Sequence, residues 1–129
     1  MREEFQADLS EVSRLLVTMA EAVRAAMRKA TTALLTADLK AAESVIERDQ
    51  EVDAIYAQVE TKVADTIARQ APVASDLRMV ITALHISADL ERMGDLAEHV
   101  AKTAARRHPS PAPPDAEWRR SRSGRLSSA

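Results

Sequence analysis

Apolar residues recur every three or four positions along most of this chain, which is the spacing that one face of an α-helix presents to a core. The first such stretch predicts a helix from about residue 4 to residue 35, and the second predicts one from about residue 39 to residue 70. Thr36 and Asp38 lie in the break between them, and either side chain can cap the second helix.

Pro72 ends the second helical pattern, because proline has no amide proton and disfavours helix in the residue before it. Ser75 then fits the cap of a third helix, which we expect to reach about Arg107. Three long helices joined by short breaks predict an all-α fold, an antiparallel up-down-up three-helix bundle. The periodic part covers residues 1–108, and the Pro/Arg/Ser-rich segment 109–129 lacks periodicity and is predicted to be a disordered tail.

The apolar side of the third helix changes direction along its length. Leu77, Ile81 and Leu84 share one side of the first half on a helical wheel, so we expect them to face the core. The same side continues through Glu91 and Asp95. We therefore expect this carboxylate pair to lie at the edge of a groove in the bundle, whereas the later residues Met93, Leu96 and Val100 point roughly the opposite way.

Composition narrows the function classes. The 129 residues include no cysteine, which excludes disulfides, thiolate metal sites and a cysteine nucleophile. Aromatic residues make up only 2%, which suits helix packing better than a sheet. A net charge of −2 argues against nucleic-acid binding, and no apolar run is long enough to insert into a membrane. Without a signal peptide at the N-terminus, these features predict a soluble cytoplasmic protein.

Two pairs of acidic residues are the candidate chemistry. Asp49 and Asp53 are four residues apart on the second helix, and Glu91 and Asp95 repeat that spacing on the third. Residues at this spacing project from one helix face, so each pair can offer two oxygen ligands to one cation. If both pairs face one groove, four carboxylates converge into a site suited to Mg²⁺, Mn²⁺ or iron. The alternative is an ordinary solvated face on which Arg48, Arg78 or Arg92 pairs with the acids.

Other residues near this face leave two further questions open. Gly94 is unfavourable inside a helix by about 1 kcal/mol relative to alanine, so it is either a site of close helix approach or a tolerated glycine. His99 follows Asp95 by one turn and can extend a ligand ladder, whereas His85 fits a packed or rim position better. The Glu-x-x-His spacing of ferritin-like di-iron sites is absent, which weighs against a carboxylate-bridged iron-handling protein or metalloenzyme without excluding it.

Two segments carry a family resemblance. The runs Q-A-P-V-A-S-D-L-R and A-D-L-E-R-M-G-D, together with D-Q-E-V-D on the second helix, closely resemble the PhoU family, accessory and regulatory proteins of bacterial phosphate-specific transport. The resemblance covers about residues 1–108. It implies one three-helix repeat of a family built from two such repeats. It also implies that Asp49, Asp53, Glu91 and Asp95 are ligands of iron or another divalent metal, and that Asp76, Arg78 and Arg92 serve partner contact or bundle structure.

The resemblance also implies a function. PhoU-like proteins are non-enzymatic negative regulators of phosphate uptake and phosphate-starvation signalling, which contact the transporter ATPase subunit and a sensor histidine kinase. Only one repeat is present here, so an inactive truncated fragment is the competing interpretation. We expect two copies to pair as a homodimer, because a missing second repeat leaves part of the apolar seam uncovered.

Overall fold

The computed structural model describes residues 2–111, and these form three long α-helices. Helix α1 spans Arg2–Thr36, α2 spans Leu39–Gln70 and α3 spans Ala74–Arg107. Each helix packs against both of the others, so the three enclose one core. The predicted all-α three-helix bundle is confirmed. The predicted tail lies outside the described residues from position 112 onward.

The two short connections explain where the helices stop. Asp38 caps α2, because its side chain accepts a hydrogen bond of 3.1 Å from the backbone amide of Ala41. Ala71 ends α2 in a left-handed conformation, and its amide donates to the Ile67 carbonyl. The prediction that Ser75 caps α3 is wrong. Val73 occupies the cap position in an extended conformation without a side-chain hydrogen bond, so α3 begins at Ala74.

The core changes in character along the bundle. One end is built from larger residues that include Phe5, Leu15 and Val80. The middle holds Met19 and Val23, and the other end is packed almost entirely with alanines. Small side chains allow helix axes to approach closely, so the alanine end permits closer packing than the end with the larger residues. No described helix is long and apolar enough to cross a membrane.

The buried face of α3 differs from the one that the sequence predicts. Its core residues are Val80, Ala83, Ser87, Gly94, Ala97, Ala101 and Ala104. Leu77 and Leu84 are half-buried at the flank, and Ile81 is 38% exposed. The wheel misplaced this face because α3 packs through its small residues, while its larger apolar residues are most visible in the sequence but lie at the sides.

Gly94 lies at a point of close helix approach. A Cβ atom added there would meet Val52 Cγ1 at 3.3 Å and Val23 Cγ2 at 3.7 Å. Since 3.3 Å is tighter than ordinary carbon contact, the glycine lets α3 approach both other helices in the middle of the bundle. This contact sets the spacing between α2 and α3 beside Asp95.

Candidate metal centre

Helices α2 and α3 run antiparallel, and their carboxylate pairs face one another across the contact. Asp53 lies opposite Glu91, since their carboxyl groups are close enough to share a hydrogen bond. Asp49, one turn earlier on α2, lies near Asp95, one turn later on α3. One carboxylate oxygen from each of Asp49, Asp53 and Asp95 lies within 4.8 Å of the other two. Glu91 is outside this group of three but lies beside Asp53, and we call the four predicted residues together the carboxylate cluster.

The cluster is layered from the bundle outward. Asp49 and Glu91 are half-buried, whereas Asp53 and Asp95 are exposed at the rim. The Oε2 atom of Glu91 is fully buried and has no hydrogen-bond partner among the described residues, although the carboxyl group as a whole lies beside Asp53. A buried oxygen without a partner is unfavourable unless a proton or a cation satisfies it.

The electrostatics show how poorly these acids are compensated. Burial, followed by the hydrogen bond and charge of Asp53, raises the pKa of Glu91 to about 8. Burial, together with a hydrogen bond to Glu98 and the neighbouring negative charges, raises the pKa of Asp49 to about 7. Without a cation, the cluster therefore retains protons near neutral pH.

Glu98 is a fifth carboxylate that the sequence did not single out. It bonds to Asp49 on one side and to Lys102 on the other, and these two hydrogen bonds lower its pKa. It is one heptad after Glu91, so the same helical spacing that identified the acidic pair could have identified it too. Lys102 closes this side of the cluster with its single positive charge.

Among the described residues, the arginines that the sequence offered as alternative partners do not pair with the carboxylate cluster. Arg92 makes an exposed ion pair of 3.1 Å with Asp89. Within residues 3–111, neither Arg48 nor Arg78 comes within ion-pair distance of a carboxylate. Arg78 lines an open groove between α1 and α3. Asp76 lies in the first turn of α3, and its backbone amide donates a hydrogen bond to the Val73 carbonyl. Neither Asp76 nor Arg78 belongs to the cluster of oxygen ligands.

The donor set fits a hard cation. Carboxylate oxygens are the ligands that Mg²⁺, Mn²⁺ and iron take in proteins, and a divalent ion among four of them would satisfy the buried Glu91 oxygen and offset the repulsion. His99 is exposed, and the grouped ligands of the described residues contain no histidine, so the predicted extension through His99 is not formed. His85 is likewise exposed rather than packed.

Known proteins have sequences similar to this chain. The family model described as the PhoU domain matches residues 16–104. The chain is 45% identical over 115 residues to a phosphate-specific transport system accessory protein PhoU homolog 2 of Mycobacterium tuberculosis, which covers 89% of this chain and 54% of the relative.

Two further relatives have similar coverage. PhoU homolog 1 of Mycobacterium leprae is 46% identical, with 84% of this chain and 49% of the relative aligned. A PhoU homolog of Aquifex aeolicus is 39% identical, with 75% of this chain and 44% of the relative aligned. The chain spans about half the length of the curated relatives it matches.

Proposed function

We propose that this chain, which belongs to the PhoU family, is a non-enzymatic accessory regulator of phosphate transport that acts through the carboxylate cluster. The observation that supports this proposal is the close grouping of Asp49, Asp53 and Asp95, with Glu91 and its buried, unpartnered oxygen beside Asp53. An isolated patch of this kind has no function in bundle stability, because its repulsion opposes folding. The relatives' printed names, accessory proteins of the phosphate-specific transport system, give the biological setting.

The cluster's role is to hold a divalent cation, iron or another metal that prefers oxygen ligands. Asp49 and Glu91 would supply the inner oxygens, and Asp53 and Asp95 would supply those at the rim. The bound ion would supply positive charge and open coordination positions at a surface that is otherwise strongly acidic. The rim position of two ligands means that an acidic group from another protein can complete the coordination.

The partners of this surface are the phosphate transporter ATPase subunit and a sensor histidine kinase. Contact with the first would restrain phosphate uptake, and contact with the second would repress the phosphate-starvation response. Both contacts follow from the family setting, and a charged, metal-dependent surface is suited to partner selection, since electrostatic complementarity governs specificity.

We also infer that two copies pair through the outer side of α3. Met79, Ile86 and Met93 recur every seven residues and are 49%, 45% and 44% exposed. Together with Leu9 and Leu16 of α1, Met79 and Ile86 line an open groove of about 360 Å³. The stripe is symmetric about Ile86, so a second copy in antiparallel orientation would bring each Met79 opposite Met93 of the other copy. Such self-complementarity is what a two-fold interface requires.

A pull-down tests the regulatory proposal. The double variant Glu91→Ala, Asp95→Ala removes half of the carboxylate cluster, and we expect it to retain less transporter ATPase and sensor kinase than the unchanged protein. The matched control is Glu43→Ala, Glu47→Ala, which removes an exposed acidic pair of the same spacing from α2. If neither protein is captured by the unchanged chain, or if the control weakens capture equally, the proposed surface is wrong.

Metal content and oligomeric state are tested separately. Equilibrium dialysis against Mn²⁺ or Fe²⁺ should load the unchanged protein and the Glu43/Glu47 control, but not the Glu91/Asp95 variant. Sedimentation should show a dimer that Ile86→Asp dissociates and Leu35→Asp, at an exposed residue near the end of α1, leaves intact. A protein that remains monomeric at all micromolar concentrations would exclude the pairing.

A further inference from the structure

A small cavity lies between α1 and α2 and adjoins the carboxylate cluster at Asp49, which lines it. Its volume is about 60 Å³, and Gly94 of α3 contributes to its lining. Since one water needs about 10–15 Å³ measured in this way, the space corresponds to about four to six waters. A tetrahedral oxyanion carries four oxygen atoms around one centre, so a space of this order can admit one.

The cavity exists because α1 contributes only small side chains there. Ala22, Ala25 and Ala26 form its α1 wall, opposite the turn of α2 that carries Arg48 and Val52. The next turn of α1 carries Lys29, and the preceding turn of α2 carries Ser44. Three polar groups that donate hydrogen bonds, Lys29 of α1 and Ser44 and Arg48 of α2, thus line a cavity that also has an alanine wall on α1.

Lys29 is the most unusual of these groups. It is half-buried, and its Nζ donates a hydrogen bond of 3.4 Å to Ser44 Oγ. Across residues 3–111, no carboxylate lies within ion-pair distance of either Lys29 or Arg48, whereas Lys62 and Lys102 are both ion-paired. A half-buried ammonium whose only partner is a neutral hydroxyl remains available to an anion.

We propose that the cavity lined by Lys29, Ser44 and Arg48 binds one inorganic phosphate ion. The Lys29 ammonium and the Arg48 guanidinium supply the positive charge, and the Ser44 hydroxyl supplies a further donor. The proposal does not rest on the metal: the donors belong to α1 and α2, and none of the three belongs to the carboxylate cluster.

The acidic residues on the cavity wall do not prevent anion binding; they make the site selective for phosphate over sulfate. Asp49 and Glu51 also line the cavity. Sulfate carries no proton near neutral pH, so it can only accept hydrogen bonds, and any ionised carboxylate on this wall repels it. Phosphate retains at least one proton at this pH, and its P–OH group can donate a hydrogen bond to a carboxylate oxygen. The same wall therefore favours phosphate over sulfate. The repulsion between sulfate and the carboxylates provides the selectivity.

Calorimetric titration of the full chain with inorganic phosphate, in buffer that contains EDTA so that no metal is bound, tests the proposal. We expect saturable binding of one phosphate per chain and at least tenfold weaker binding of sulfate. Lys29→Gln and Arg48→Gln should each weaken phosphate binding about tenfold, the effect of losing one charged hydrogen bond of about 1.4 kcal/mol. The controls Arg28→Gln and Lys40→Gln remove the same charge from exposed positions and should leave binding unchanged.

Amide chemical shifts provide a second measurement on the unchanged protein, which does not depend on how the variants fold. Phosphate should shift the amides of Ala25, Ser44 and Arg48 and leave those near Asp8 unchanged. Absence of saturable binding up to millimolar phosphate, equal weakening by the controls, equal affinity for sulfate, or shifts confined to other parts of the bundle would each overturn the proposal. Failure of metal loading at the carboxylate cluster would leave this result unaffected, so the two proposals fail separately.

Discussion

Two acidic sites in this bundle differ in how the charge of a buried carboxylate is compensated. At the end of the bundle with the larger core residues, Asp8 is only 8% exposed, and it lies 3.1 Å from the Lys62 ammonium and 3.0 Å from the Arg69 guanidinium. Burial by itself would raise the pKa of Asp8. The hydrogen bond to Lys62 and the charges of Lys62 and Arg69 outweigh burial and lower that pKa. At the carboxylate cluster, burial and neighbouring acids instead raise the pKa of both Asp49 and Glu91.

The difference identifies which group serves stability and which serves binding. Asp8 joins α1 to α2 with partners that the chain itself supplies. The carboxylate cluster joins α2 to α3 with acids on both sides, and Lys102 at its edge pairs with Glu98. An acidic group that the chain leaves uncompensated is suited to a cation from outside, because ligand binding then restores the free energy that repulsion removes.

The largest expected effect is at Asp8. Asp8→Asn keeps the size of the side chain but removes the charge that Lys62 and Arg69 pair with. We expect it to lower the free energy of unfolding by about 2 kcal/mol, as for other hydrogen bonds to charged groups. The control is Asp89→Asn, which breaks the exposed pair with Arg92 and should change stability by less than about 0.5 kcal/mol. Urea unfolding measures both, and equal effects would contradict the assignment of Asp8 to stability.

Glu91→Gln should change stability in the opposite direction. In the metal-free protein this substitution removes repulsion and leaves an amide that can donate to Asp53, so we expect a gain of about 1 kcal/mol at pH 8. The gain should disappear at pH 5, where Glu91 is already protonated in the folded state. The exposed Glu47→Gln should show no such dependence on pH. A loss of stability at pH 8 would mean that the cluster is already satisfied by the chain itself.

The smallest expected effect is at Lys102. Lys102→Met removes the positive charge beside Glu98 while keeping the length of the side chain. Because a neighbouring positive charge opposes cation binding, we expect Mn²⁺ affinity to rise about threefold at most, since solvent screens this exposed group. Lys40→Met, at an exposed position at the start of α2, is the control. An unchanged or lower affinity would place the bound ion away from Glu98.

Much of this architecture is predictable from the chain alone. Helix bounds follow from apolar spacing and from Pro72 and Asp38, and these were right to within two residues. The sequence predicted the two acidic pairs but left their convergence conditional, because equal spacing on two antiparallel helices fixes neither which faces meet nor their register. Glu98 was missed because it belongs to neither pair, although its heptad offset from Glu91 places it on the same face.

The rest depends on packing that the sequence does not display. The core face of α3 was misplaced because alanine, serine and glycine give little hydrophobic contrast, so Ile81 outweighed Ser87 in the pattern although Ser87 is fully buried. The cavity beside Lys29 was not predicted for the same reason: three alanines on α1 signal good helix propensity, and only the packed structure shows the space they leave.

The account depends most on the claim that the carboxylate cluster is left uncompensated until a cation binds. Its most direct test is the free energy of unfolding between pH 5 and pH 8, with and without Mn²⁺. Since the pKa of Glu91 is raised from 4.5 to about 8 and that of Asp49 from 3.8 to about 7, the unfolded chain binds fewer protons across this range.

The stability of the metal-free protein should therefore fall as the pH rises from 5 to 8, and Mn²⁺ should restore it most strongly at pH 8. A stability that does not change between pH 5 and pH 8, together with no response to Mn²⁺, would contradict the claim.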